Sequence, residues 1–133
     1  MSFVEPASSV AADRDGTLRV GVIGAGVMGT NHGRVLAGLP NVALVGIVDP
    51  LDEHRKRADD LIGCPVFADL DSLLAAGVDA VTIAAPTHLH HEISLACIGR
   101  GIHVLVEKPI ASTVEEGRAI VAAARRANVT LMV

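Results

Sequence analysis

Aromatic side chains are almost missing from this 133-residue chain, which has no Trp, no Tyr and only two Phe, Phe3 and Phe67. Bases therefore find no stacking platform. With a net charge of −4 and no long basic run, no nucleic-acid partner is expected. Arg55-Lys56-Arg57 and Arg125-Arg126 read as solvated helix faces. Cysteine is also scarce. Cys64 and Cys97 are isolated in apolar surroundings, so no disulfide framework is expected and a reducing cytoplasm fits. No apolar stretch is long enough to span a bilayer, so no membrane partner is expected. Residues 1–17 are rich in Ala, Ser and Asp, with no basic start and no apolar h-region. They read as a flexible tail rather than a signal peptide.

Half of the chain is nonetheless apolar, and with so few aromatics its core must be Val, Ile, Leu and Ala. That composition suits a buried parallel sheet. The length allows one domain with a real core, expected over 18–133. Strand and helix signals alternate throughout. Strands are expected over 18–23, 42–48, 65–68, 79–85, 102–106 and 129–133. Helices are expected over about 27–38, 51–62, 70–76, 88–99 and 113–127. The 88–99 helix carries Leu89, Ile93, Ala96 and Cys97 at helical spacing. Ser112-Thr113-Val114-Glu115 reads as the capping box of the last helix, whose buried stripe is Gly117, Ile120, Val121 and Ala124. Right-handed crossovers then give a doubly wound, six-stranded parallel α/β sheet of order 3-2-1-4-5-6, with ligands at the carboxyl ends of the strands.

The first strand runs straight into Gly24-Ala25-Gly26-Val27-Met28-Gly29. Gly24 permits the tight turn, Gly26 lets a pyrophosphate approach the backbone, and Gly29 lets the helix pack closely. The helix N-terminus offers unpaired N–H groups and a positive dipole end. The next strand ends at Asp49, twenty residues past the last glycine, where a carboxylate can accept hydrogen bonds from both hydroxyls of an adenosine ribose. Asp49 before Pro50 is also a good helix N-cap and first-turn pair. Such a carboxylate favours NAD over NADP. Arg55 and Lys56, further along the helix, are the residues that would spoil this preference.

Two further strand ends face the nicotinamide side of such a site. One carries Ala85-Pro86-Thr87-His88-Leu89-His90-His91 and the other Glu107-Lys108-Pro109. A lysine beside a cofactor can position or polarise a substrate hydroxyl or relay its proton, which makes Lys108 the leading chemical candidate; otherwise it is a surface lysine after a strand. Glu107 is a candidate for the nicotinamide ribose, or simply pairs with a cation. His90 is expected to face the cleft, with His88 and His91 at the helix start. His88 and His91 with Glu92 permit two metal ligands on one face, but no second Cys/His group completes a tetrahedron, and no metal is expected. A Gly-Lys-Ser/Thr P-loop and a Gly-x-Ser-x-Gly elbow are absent. Lack of tyrosine removes the Tyr-x-x-x-Lys pair of short-chain dehydrogenases. Val22-Ile23 stand where a methyltransferase more often has an acid.

These motifs together resemble the Gfo/Idh/MocA oxidoreductases, which include glucose–fructose oxidoreductase and inositol dehydrogenases. The resemblance covers residues 18–133. It rests on Gly24-Ala25-Gly26-Val27-Met28-Gly29, on Ala85-Pro86-Thr87-His88-Leu89-His90 and on His103-Val104-Leu105-Val106-Glu107-Lys108-Pro109. It implies a Rossmann domain binding NAD through Gly24, Ala25, Gly26, Val27, Met28, Gly29, Asp49, Pro50, Ala85, Pro86, Thr87, His90, Glu107 and Lys108. Lys108 would act near the hydride-transfer centre and Glu107 would contact the nicotinamide ribose. The wording of 84–133 is similar to members that oxidise the 3-hydroxyl of a UDP-N-acetylamino sugar. Family members continue into a second α/β domain that builds the substrate pocket and through which an oligomer is expected. This chain stops at Val133, where that domain would begin, so the resemblance implies the cofactor-binding part of a longer sugar or polyol dehydrogenase. The alternatives are a stand-alone NAD-binding or redox-sensing module, and a structural domain with a vestigial glycine loop.

Overall fold

The computed structural model describes residues 3–4 and 16–133. Short apolar runs too brief for helices become the parallel strands β2 (Leu18–Ile23), β3 (Val42–Val48), β4 (Val66–Phe67), β5 (Ala80–Ile83), β6 (His103–Val106) and β7 (Leu131–Met132). Between them lie α1 (Val27–Ala37), α2 (Asp52–Ile62), α3 (Leu70–Ala75), α4 (His90–Ile98) and α5 (Val114–Ala127). The sheet order β7-β6-β5-β2-β3-β4 is the 3-2-1-4-5-6 order expected. A further strand, β1 (Phe3–Val4), pairs antiparallel with β7 and adds a seventh, edge position. This corrects the expected flexible tail at Phe3–Val4; the other residues of 1–15 lie outside the described residues.

The two faces of the sheet have separate cores. On one, α1 and α2 cover Val22 and Ile47, with Ala25 and Ala58 fully buried between them. On the other, α3, α4 and α5 bury Leu73, Val81, Ile83, Ile98, Val106, Ile120 and Leu131. Small residues set the spacing. A side chain at Gly46 would meet the Phe67 ring, and one at Gly21 would meet Leu73. The α1–α2 layer stops short of the β5–β7 half, where Val20, Thr82, His103, Leu105 and Met132 border a shallow hollow of about 250 Å³. Cys97 is wholly buried, and burial pushes its thiol up to about 12 against a small opposing pull from Arg100.

Three local expectations shift. The α5 cap is Thr113, whose hydroxyl accepts the N–H of Glu116, so the box begins one residue later than Ser112. The α4 segment opens with a 3-10 turn over Thr87–Leu89, because Pro86 stays extended and the true helix starts at His90. The buried face of α4 is His90, Ser94, Cys97 and Ile98. Of the residues named from sequence, Cys97 belongs to it and the half-buried Ile93 packs against the same core, while Leu89, Ile93 and Ala96 also border a cleft beside the glycine loop.

Candidate functional site

That cleft, of about 630 Å³, lies at the carboxyl ends of β2, β3 and β5, where the chain order reverses direction across the sheet. Gly24 and Gly26 form its floor. Asp49, Pro50, Leu51 and His54 form one wall, and Ala85, Pro86, Leu89 and Ile93 the other. A second groove of the same volume runs along α5 from Ile110 to Arg125, far from the glycine loop.

The glycine loop is fixed by its own geometry. Gly24 has φ +103°, and a Cβ there would lie 2.6 Å from the Ala84 carbonyl oxygen. A Cβ on Gly29 would lie 1.7 Å from the Gly24 carbonyl oxygen, so the helix is held against the loop itself. Gly26 differs: a Cβ there meets nothing within 4 Å. Its backbone is ordinary, so the space above it belongs to the cleft. Gly26 is the α1 N-cap, with no side chain capping the helix and no acid in its first turn. The first-turn N–H groups of Val27, Met28 and Gly29 have no acceptor within the helix, which is the arrangement that holds a phosphate. Val27 and Met28 leave their side chains exposed.

Asp49 is tied to this loop. Its Oδ2 accepts the N–H of Ala25 at 2.9 Å and contacts His54 Nδ1 at 3.0 Å. Its Oδ1 accepts the N–H of Leu51 at 2.9 Å. The α2 N-cap is Leu51, not Asp49, so the carboxylate steadies the entry to α2 from two residues upstream. The Ala25 N–H is thus taken by Asp49. The Ala25 carbonyl accepts from Arg57 at 3.0 Å and Thr30 at 3.3 Å. Arg55 donates to the Asp49 carbonyl at 2.8 Å and also reaches Asp52, as Lys56 does. Both cations named as possible phosphate clamps are therefore engaged on α2.

Burial pushes the Asp49 carboxyl up, but the N–H groups of Ala25 and Leu51 and the His54 ring outweigh it and leave the group below its usual value. A depressed folded-state value adds stability above the unfolded carboxylate pKa of about 4, and that share is lost as pH falls through the folded value. Asp49→Asn is therefore expected to cost more stability at about pH 7 than at about pH 3. Thermal melts of both proteins at the two pH values check this; an equal loss at each would show that the carboxylate's charge is not stabilising.

His90 does not face the cleft. It is 1% exposed, with Nδ1 2.9 Å from the Pro109 carbonyl and Nε2 2.8 Å from the Ala85 carbonyl. It staples the two candidate loops to each other, which corrects the expectation that it faces the cleft. His91 reaches Glu116 on α5 at 3.4 Å, and His88 is exposed. Among the described residues no group of three His, Cys, Asp or Glu could hold a metal ion. Thr87 lies in the 3-10 turn outside the cleft. Glu107 is half-buried and pairs with His32 of α1 at 2.7 Å, while the neighbouring Lys108 is exposed.

His32 and His54 are the functional-looking residues that sequence reasoning missed. His54 sits five residues past Asp49, within one helical turn of the Leu51 N-cap, a spacing that could have drawn notice. His32 meets Glu107 across 75 residues, and no local signal announces that contact.

Residues 18–133 match the model described as an oxidoreductase family with an NAD-binding Rossmann fold, GFO_IDH_MocA. The chain belongs to the Gfo/Idh/MocA oxidoreductase family. Among Gfo/Idh/MocA relatives, inositol 2-dehydrogenase 1 of Saccharopolyspora erythraea is 42% identical over 80% of this chain and 33% of its own. UDP-N-acetylglucosamine 3-dehydrogenase of Acidithiobacillus ferrooxidans is 34% identical over 87% of this chain and 36% of its own. The crystal structure of GenD2 from gentamicin A biosynthesis, in complex with NAD, superimposes with a TM-score of 0.83 at 33% identity, covering 97% of this chain and 36% of that one. The chain thus spans about a third of the length of the Gfo/Idh/MocA relatives it matches.

Proposed function

We propose that this chain is the NAD-binding domain of a dehydrogenase that moves a hydride between the cofactor and a hydroxyl of a sugar or polyol. The substrate class, a polyol or a nucleotide sugar, rests on the likeness to inositol 2-dehydrogenase 1 and to the UDP-N-acetylglucosamine 3-dehydrogenase. The observation that carries the cofactor part is Asp49, buried to 7% exposure and hydrogen-bonded to the glycine loop it shares a cleft with. A buried carboxylate on this cleft wall suits a ribose diol and repels a 2′-phosphate.

The residues present fit the dinucleotide. The open space over Gly26 and the uncapped first turn of α1 suit the pyrophosphate. Asp49 would take the adenosine ribose, beside the apolar wall of Leu89, Ile93 and Ala96. Pro86 and Ala85 lie towards the nicotinamide half, with Glu107 as the ribose contact there. When bound, the nicotinamide supplies or accepts the hydride. Lys108 would polarise the substrate hydroxyl and relay its proton, and positioning of this kind lowers the barrier by several kcal/mol. We place the enzyme in the cytoplasm; among the described residues no helix is long and apolar enough to cross a membrane. We assign the substrate pocket and the oligomer contacts to sequence beyond the third of the relatives matched here.

The test is turnover by the full-length enzyme on a panel of polyols and nucleotide sugars, beside the 133-residue chain. The full-length enzyme is expected to oxidise at least one. Its Lys108→Ala form is expected to lose mainly kcat, by about a hundredfold or more, while its NAD affinity holds. Full activity in that variant would remove the role given to Lys108. NAD binding without turnover on any substrate would favour a non-catalytic binding module.

A further inference from the structure

The wall around Asp49 contains a residue that the dinucleotide reading does not use. A carboxylate offers about four acceptor positions. Asp49 has three filled, by the Ala25 and Leu51 N–H groups and by His54 Nδ1. A ribose diol brings two donors to the one position left. The Ala25 and Leu51 groups are backbone, fixed by the glycine loop and by the start of α2. The His54 side chain is a third exposed and lines the cleft, so it is the donor able to yield.

The charged groups that line the cleft with His54 are acidic: Asp49 just past β3, which His54 contacts, Asp69 at the start of α3 and Glu92 on α4. On α2 itself, Asp52 is paired with Arg55 and Lys56, and Arg57 is bound to the Ala25 carbonyl. The imidazole is thus the side chain in contact with Asp49 that exists either as a neutral ring or as a cation with two donors.

We propose that His54 is a specificity-determining residue for the 2′ position of the adenosine ribose. As the neutral ring it gives up its place on Asp49 to the 2′-hydroxyl, and the site selects NAD. As the imidazolium it pairs with a 2′-phosphate and offsets the repulsion from Asp49, and the site accepts NADP. This rests on the dinucleotide reading above, and the experiment separates the two.

NAD and NADP are titrated calorimetrically into the 133-residue chain and into His54→Asn and His54→Gln, each at about pH 6 and about pH 8. Circular dichroism confirms that the variants fold, as a side chain at this half-buried position on the cleft wall should permit. From the higher to the lower pH, the wild-type preference for NAD is expected to fall about fivefold more than in either variant. Protonation of the 2′-phosphate itself acts on all three proteins alike and cancels in this comparison. Equal falls in the three proteins, with NAD still bound, would overturn the role of His54 and leave the dinucleotide reading standing. Failure of the wild type to bind either cofactor would overturn both.

Discussion

Gly26→Val is expected to fold like the wild type and to bind NAD at least about a hundredfold more weakly, a loss of about 2.7 kcal/mol. The two halves of this result come from one observation. Gly26 has φ −72° and ψ −163°, which valine adopts without strain, and a Cβ there touches nothing within 4 Å. The folded chain therefore has room for the side chain. That same room is where the pyrophosphate must lie to reach the first-turn N–H groups of α1, and an isopropyl group closes it. Urea unfolding and calorimetry on one preparation read both halves. Normal NAD binding by Gly26→Val would mean that the loop is not the phosphate site.

Gly29→Ala is expected to do the reverse damage. Its single methyl would be driven to 1.7 Å from the Gly24 carbonyl oxygen, an atom of rigid backbone. Gly24 cannot retreat, because its own Cβ position is hemmed by the Ala84 carbonyl and its N–H is bonded to Val48 at 2.8 Å. The helix must tilt away from the sheet, breaking the packing of Gly33 against Ile47 and Ile62. Overpacking of this kind against backbone costs about 3 kcal/mol or more, a fall of roughly 10 °C in Tm for a domain of this size. A thermal melt within about 2 °C of the wild type, equivalent to about half a kcal/mol, would show that the close approach is not needed. The two glycines, three residues apart, thus separate binding from folding.

The contrast shows what the sequence carries and what it does not. The six parallel strands were legible because each is an apolar run too short for a helix, most of them bounded by Gly, Pro or Asp. Their order followed from the handedness of the crossovers. The glycine loop and Asp49 were legible because both lie next to strand ends, where spacing along the chain is spacing in space. Errors arose where side-chain direction mattered. The stripe Leu89, Ile93 and Ala96 has helical spacing, but periodicity alone does not say whether an apolar face meets a core or a ligand cleft. His90 carries no mark of burial; only the meeting of the Ala85 and Pro109 carbonyls around it explains why a histidine sits there. The cap at Thr113 and the one expected at Ser112 both place a Glu three residues on, so local chemistry could not choose between them. The pairs His32–Glu107 and His54–Asp49 depend on how separate elements pack, and β1 depends on an edge that forms only at the far end of the chain.

The account turns on the cleft between the glycine loop and Asp49 being a dinucleotide site that prefers NAD. Calorimetric titration of the 133-residue chain with NAD and with NADP at about pH 8, where an ordinary imidazole is neutral, tests this most directly. The account predicts weak, saturable one-to-one binding of NAD, weaker binding of NADP, and a narrowed gap between them in Asp49→Ala. Absence of NAD binding, or tighter binding of NADP by the wild-type chain, would contradict it.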